Sequence, residues 1–520
     1  MIPRLVHKHE KKIYRLFEML PGLFVWGFIL SPLWLGAFAP TLIIFYITFL
    51  TVFWAFMAIK HSIGGIIGYK RYKKELGMDW MQECKNLNFD ELPEKATLPK
   101  NLADVRHFVL IPTYNEPKKL LEETLSAILN QTFPTKQILL IFTMEQRSSE
   151  RLEKEIREIL SDKIGSFENV LFFVHPEGIP GEAKGVAGAN RTWGAQNAVE
   201  YLRKNNLNIR NYIFTTFDSD SILNEQFLAR LTHLYLTCDK RDNKFYSTAL
   251  HLFNNNIWEV PTLMRIEANS VTLASLSDWV VTESAYKETF SCYSASLQTL
   301  IDADYWNTQL SADDTVFYWR AFIVRNGDFE GREHYIPYSA DAVQSETFLG
   351  SHKSMYLQLR RWGTGAIAIP ISMLEFLKNN KIPKSKKIMW TMNHLKRRVV
   401  LFTLVFLMTF GVSLLTLVNQ NARQISLVYT LPNIMSTILT ITLVFLIPVT
   451  FLRSKIVKPM PKKWNIFRRL LVTIVDGPLV IINLLTFSLI PWIDAYTRML
   501  FGRKLNDFYY TPKVRKAVNE

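Results

Sequence analysis

The sequence predicts an α/β domain inserted between membrane-spanning α-helices, and three observations predict it. Long uncharged runs lie towards both ends of the 520-residue chain. Between them, short apolar runs bounded by turn residues alternate with helical patterns. A mean hydropathy of +0.05, with 48% hydrophobic and 21% charged residues, averages apolar segments with an ordinary soluble one. This composition excludes a disordered chain and a bare membrane bundle. The formal charge is +15, from 61 Lys and Arg against 46 Asp and Glu. Much of that excess flanks the apolar runs, where membrane orientation explains it without nucleic acid as a partner.

Residues 1–61 are expected to form an N-terminal transmembrane hairpin. Pro21 to Ile59 carries no charged residue, which at about 20 residues per span is length for two helices broken near Pro40. Lys8, Lys11, Lys12 and Arg15 precede the pair and Lys60, Lys70, Arg71, Lys73 and Lys74 follow it, so both ends read as cytosolic. Ala37-Phe38-Ala39 has the form of a signal-peptidase site, but the long apolar run before it and the second run after Pro40 favour an anchor. A cytosolic linker, 62–105, leads into the soluble part. Cys84, Cys238 and Cys292 are odd in number and far apart, which leaves neither a disulfide framework nor a cysteine zinc site.

The soluble part, 106–350, offers four strand-like runs: His107 to Pro112, Gln137 to Met144, Val170 to His175 and Asn211 to Phe217. Helical patterns follow the first two, and a glycine-rich stretch whose later part reads as a helix follows the third. In a parallel sheet, ligands gather beyond the carboxyl ends of the strands. Tyr114, Glu145, the glycine-rich stretch and Asp218-Ser219-Asp220 all fall there. Two carboxylates at i and i+2 after a buried strand can share a hard divalent cation that in turn holds a diphosphate. By themselves they equally make a polar strand end and a helix N-cap. Lys184 can neutralise a phosphate or stand solvated. Asp313 and Asp314 precede an aromatic helical pattern; paired carboxylates raise each other's pKa and suit one of them to accept a proton, or they cap a helix starting at Thr315.

Residues 351–395 read as amphipathic interface helices, with Arg360, Arg361 and Trp362 beside an apolar face. The C-terminal transmembrane region, 396–495, has apolar runs at Val399 to Val418, Leu427 to Leu452 and Leu470 to Ile490, before a basic tail, 496–520. The Lys- and Arg-rich segment between the second and third runs places that connection in the cytosol. The third run, with Asp476, Gly477 and Pro478 near its start, is either a full crossing or a re-entrant or interfacial hairpin.

In chain order, I-P-T-Y-N-E-P, Glu145, G-E-A-K-G, D-S-D, A-D-D-T and Q-L-R-R-W resemble the inverting family 2 glycosyltransferases of the GT-A fold. The resemblance is closest to the membrane-integrated group that includes cellulose and hyaluronan synthases. It implies a Rossmann-like GT-A catalytic domain, cytosolic, in a multi-pass protein of the cytoplasmic membrane. It further implies that Thr113, Tyr114 and Glu116 line the nucleotide pocket, with Glu145 in the base-contacting place usually held by Asp. Lys184 would approach the diphosphate, while Asp218 and Asp220 would hold it through Mg²⁺ or Mn²⁺. Asp314, beside Asp313, would be the general base, and Gln358, Arg361 and Trp362 would meet the acceptor sugar and the leaving diphosphate. Ala312-Asp313-Asp314 departs from the family's Thr-Glu-Asp while keeping the charge, and the segment from Phe290 to Asn307 is an untypical acceptor loop.

The implied reaction moves a sugar from a nucleotide-sugar donor, with UDP the nucleotide the resemblance favours, to a growing polysaccharide at the cytosolic face. Processive synthesis with translocation leads, with an export partner or homo-oligomer to complete the channel. A single transfer to a glycolipid acceptor is the rival, and a non-catalytic sugar-binding scaffold the reading from another class.

Overall fold

The computed structural model describes residues 6–503 except 184 and 186, together with 510–512 and 514. The chain forms two compact units: a helical one of residues 1–69, 258–281 and 346–505, and an α/β one of residues 70–257, 282–345 and 506–520.

The α/β unit is built on a sheet of β1 (Arg106–Thr113), β2 (Ile138–Glu145), β3 (Asn169–His175) and β4 (Tyr212–Thr216). Between β4 and the end of the unit come β5 (Ile222–Leu223), β6 (Lys244–Thr248), β7 (His251–Leu252), β8 (Tyr293–Ser296), β9 (Glu330–His334) and β10 (Tyr338–Ser339). The main sheet has seven strands in the order β3-β2-β1-β4-β8-β6-β9, and β5, β10 and β7 make a small second sheet. β1 pairs in parallel with β2 and β4, and β2 with β3, whereas β8 runs antiparallel between β4 and β6. Central strands covered on both faces read as unbroken apolar runs rather than alternating ones. β2 obeys this, with every residue from Ile138 to Met144 buried.

The helix Lys118–Leu129 turns Leu121, Leu125 and Ile128 onto that sheet, and Ser149–Leu160 does the same with Leu152, Ile156 and Leu160. Chain order runs outward from β1 through β2 to β3 and then returns to β4 on the other side of β1. A crevice therefore opens beyond the carboxyl ends of β1 and β4, where the strand order reverses. This topology places the residues after Thr113 and after Thr216 side by side.

In the helical unit, Glu10–Ile29 and Ser31–Phe38 form a pair bent by 58°, and Pro40–Leu76 follows a break at Ala39. Proline at the start of a helix loses only an amide that has no intrahelical partner there. Among the described residues, four helices are long and apolar enough to cross a membrane, or five if the bent pair is one span. They include Lys384–Val418, interrupted by a π-helical turn at Lys396–Val400, and Ser426–Ile456. The third C-terminal run is the helix Ile466–Leu485, which contains Pro478, followed by a turn and Ile490–Leu500.

The helix Thr262–Val281 belongs to this unit although its sequence lies among soluble elements. Gly68 permits its approach, since a Cβ there would come within 2.8 Å of the Leu276 carbonyl oxygen. Arg265 on this helix bonds Asp476 at 2.7 Å, and Arg453 bonds the other carboxylate oxygen at 2.8 Å. The acid that interrupts the last apolar run is thus compensated twice. Replacing Asp476 by Ala leaves the buried Arg265 unpaired and is expected to cost about 3–5 kcal/mol. The measurement is thermal unfolding in detergent; a second change, Arg265→Met, should restore part of the loss, and an unchanged midpoint would show the pair to be idle.

Candidate active site

The segment after β1 is fastened at several points. Thr113 is buried and its hydroxyl donates to the Thr143 carbonyl at 3.3 Å. The Tyr114 amide donates to the Glu116 carboxylate at 2.7 Å, and Ser148 donates its hydroxyl to the Tyr114 carbonyl. Arg151 donates to the Glu116 carbonyl at 3.2 Å and to Asn115 at 2.9 Å. The Arg147 guanidinium lies 4.3 Å from the centre of the Tyr114 ring, and Tyr510 sets its own ring centre 4.8 Å from it. A flat, partly covered aromatic is thereby held at the crevice.

Glu145 ends β2 and meets His175, the last residue of β3, at 3.3 Å. The other ring nitrogen of His175 reaches Glu182 in the glycine-rich stretch at 2.9 Å. Burial pushes His175 down, but the hydrogen bonds accepted by Glu145 and Glu182 outweigh it and the net shift is upward. The charged clamp is therefore complete below the ordinary histidine range and is lost as pH rises through the raised value. Proteolysis of the stretch 176–183 is expected to accelerate over that rise. In His175→Gln the rate should not change with pH; a persistent pH response there would contradict the clamp. Lys184 lies outside the described residues.

The helix Ala187–Lys204 brings two polar side chains beneath the crevice. Asn190 donates to the Thr143 carbonyl at 3.1 Å and accepts from the Thr143 hydroxyl at 2.6 Å, which ties the helix to β2. Arg191 is buried and bonds three carboxylates: Asp218 at 2.9 Å, Asp313 at 2.6 Å and Asp314 at 3.0 Å. Gly188 makes room, because a Cβ there would sit 2.9 Å from that of Asp313.

Asp218 is 52% exposed, whereas Asp220 is buried, accepts the Asp341 amide at 3.1 Å and offers its own carbonyl to Asn255. The acidic pair after β8 opens the helix Asp313–Val324, two residues earlier than the sequence suggests. Carboxylates in a first helical turn face its unpaired amides, which favours that start. Asp314 also accepts the Ser291 amide at 3.1 Å. Burial, followed by the Asp313 charge, raises Asp314 above the ordinary carboxylate range against the opposing pull of Arg191.

The structure therefore brings together Asp218, Asp313 and Asp314 from the end of β4 and the start of a later helix. Gln358, Arg361 and Trp362 lie in the helical unit, on the single helix Phe348–Gly363. Arg191, Asn190 and His175 escape the sequence reading. One signal for Arg191 was present: it is the only charged residue between Lys184 and Glu200, in a run of small and apolar residues. Among the described residues, no group of three or more His, Cys, Asp or Glu side chains is arranged to hold a metal ion unaided.

Residues 108–239 match the family model of glycosyl transferase family 2. The matched family 2 segment runs from β1 past Asp218 and Asp220, and it ends before Asp313, Asp314 and the helix carrying Gln358. It supports glycosyl transfer as the class of chemistry. No curated protein matches the chain. Among solved structures, the mannosyltransferase PcManGT from Pyrobaculum calidifontis, in complex with GDP-Man and Mn²⁺, is 13% identical with a TM-score of 0.40. That alignment covers 88% of this chain and 100% of the other. TarS 1-349 from S. aureus, in complex with UDP-GlcNAc, is 13% identical with a TM-score of 0.31, over 62% of this chain and 92% of the other.

Proposed function

We propose that the chain is a membrane-integrated, inverting glycosyltransferase that moves a sugar from a UDP-sugar to a growing polysaccharide at the cytosolic face. The observation that carries this reading is the meeting of Asp218, Asp313 and Asp314 on one buried arginine, beyond the strands of the family 2 segment. Four apolar helices of spanning length among the described residues support the membrane part.

Thr113, Tyr114 and Glu116 would form the floor and side of the nucleotide pocket, with Tyr114 offering a ring face to the base and Glu145 at its edge. The oxygen donors fit a hard divalent cation. Asp218 is half exposed at the crevice with Asp220 two residues on, and such ions take one or two carboxylates while substrate phosphates and water complete the shell. When bound there, Mg²⁺ or Mn²⁺ supplies the positive charge that holds the donor diphosphate and meets its charge on departure. Asp314 takes the proton from the acceptor hydroxyl as its oxygen bonds to the anomeric carbon. The bond from that carbon to the diphosphate breaks on the opposite face, which inverts the centre. Lys184 would add positive charge to the diphosphate side, and Gln358, Arg361 and Trp362 are assigned to the acceptor and leaving group.

Product size tests this reading. The purified protein in nanodiscs, given labelled UDP-sugars and Mn²⁺, is expected to make a long glycosidase-sensitive polymer from one donor. A single sugar on lipid would replace processive synthesis by glycolipid formation, and donor binding without any turnover would favour a scaffold.

A further inference from the structure

Arg191 lies at the centre of the candidate site, and its charge balance is unusual. One guanidinium faces three carboxylates within 3.0 Å, so the cluster carries two negative charges in excess when all are ionised. Buried arginine cannot be deprotonated, and its planar fork can serve several acceptors at once. The two terminal nitrogens divide the work. Nη1 holds Asp313 and Asp314 together at the start of their helix, and Nη2 reaches Asp218 at the end of β4.

That excess of two charges is what a divalent cation would offset. That cation would use Asp218, the carboxylate already engaged by Nη2 and the most exposed of the three. Arg191 spans acids assigned to two different tasks.

We propose that Arg191 is a positioning residue that competes with the divalent cation for Asp218 while holding Asp314 in its proton-accepting orientation. The inference rests on the reading of this site as a metal-dependent transfer centre. Without bound metal, Nη2 of Arg191 engages Asp218. With Asp218 engaged by metal, the guanidinium charge falls wholly to Asp313 and Asp314. Loading of the donor side is thereby linked to the arrangement of the base.

The experiment measures Mn²⁺ binding directly, by electron paramagnetic resonance on the full chain in nanodiscs without donor, alongside UDP binding, turnover and thermal unfolding. In Arg191→Met, Mn²⁺ is expected to bind about fivefold tighter, the scale of a half-exposed ion pair, while kcat falls roughly 100-fold. Loss of a merely structural residue would instead weaken the metal. Arg191→Lys, which keeps the charge but not the fork, should return part of kcat and most of the wild-type Mn²⁺ affinity.

Removing a buried cation endangers folding, so the charge-balanced pair Arg191→Met with Asp313→Asn carries the same readout. It should melt near wild type, bind Mn²⁺ tighter and remain slow. A folded Arg191→Met or paired variant with unchanged or weaker Mn²⁺ binding, or with wild-type kcat, overturns the assignment while wild-type Mn²⁺ and UDP binding leaves the site reading standing. Wild-type protein that binds neither Mn²⁺ nor UDP overturns both.

Discussion

Replacing Asp314 by Asn is expected to lower kcat by about 10²- to 10⁴-fold, the range for losing a positioned general base. The change is nearly isosteric, and its one carbonyl oxygen can still receive Arg191, while the bond from the Ser291 amide to the other oxygen is given up. Metal-dependent UDP binding should therefore persist, and unfolding should shift little. The wild type adds a pH signature. Burial and the adjacent Asp313 charge raise Asp314, and a base works only after losing its proton. Turnover should fall on acidification at a pH above the ordinary carboxylate range, rather than near the value of a solvated aspartate. A pH–rate profile that stays flat through that region, or an Asn variant with full kcat, would remove Asp314 from the role.

The second large effect belongs to Asp218. Asp218→Asn is expected to weaken Mn²⁺-dependent donor binding by at least about 100-fold, because altering even the supporting partners of a metal ligand costs 10- to 100-fold. The loss should appear as a raised apparent requirement for both metal and donor. Since Asp218 is half exposed and bonded to Arg191 through one oxygen only, little stability should go with it. Titration calorimetry with UDP, with and without Mn²⁺, separates these outcomes. UDP binding that is equally tight without metal, or unchanged in the variant, would contradict a metal role for this carboxylate.

The parallel half of the sheet was legible because its inner strands β1, β2 and β4 are covered on both faces. Runs such as Ile138 to Met144 have no polar alternation to confuse them, and their ends are marked by acids and turn residues. The grouping of Asp218 with the β1 crevice followed from topology, since the strand order reverses between β1 and β4. Asp313 and Asp314 were visible as a pair, but their approach to Asp218 depends on Gly188 and Arg191, side by side with them only in the folded chain. An arginine within a helical pattern ordinarily reads as solvated, and burial becomes visible only once three acids are seen around it.

His175 was hidden for a related reason: it closes an apolar strand, and both of its partners lie on other segments. The helix Thr262–Val281 carries too little periodic contrast to announce its place in the helical unit. Its fit depends on the small residue Gly68 and on the pairing of Arg265 with Asp476, which lie far away in sequence.

The most direct measurement is release of nucleoside diphosphate by the purified full chain across a panel of nucleotide sugars, with Mn²⁺ or Mg²⁺ and with chelator. The account predicts metal-dependent release of UDP from one donor, coupled to sugar appearing in an acceptor and lost in Asp314→Asn. Release that survives Asp314→Asn, or a folded protein that neither binds nor turns over any nucleotide sugar with either metal, would contradict it.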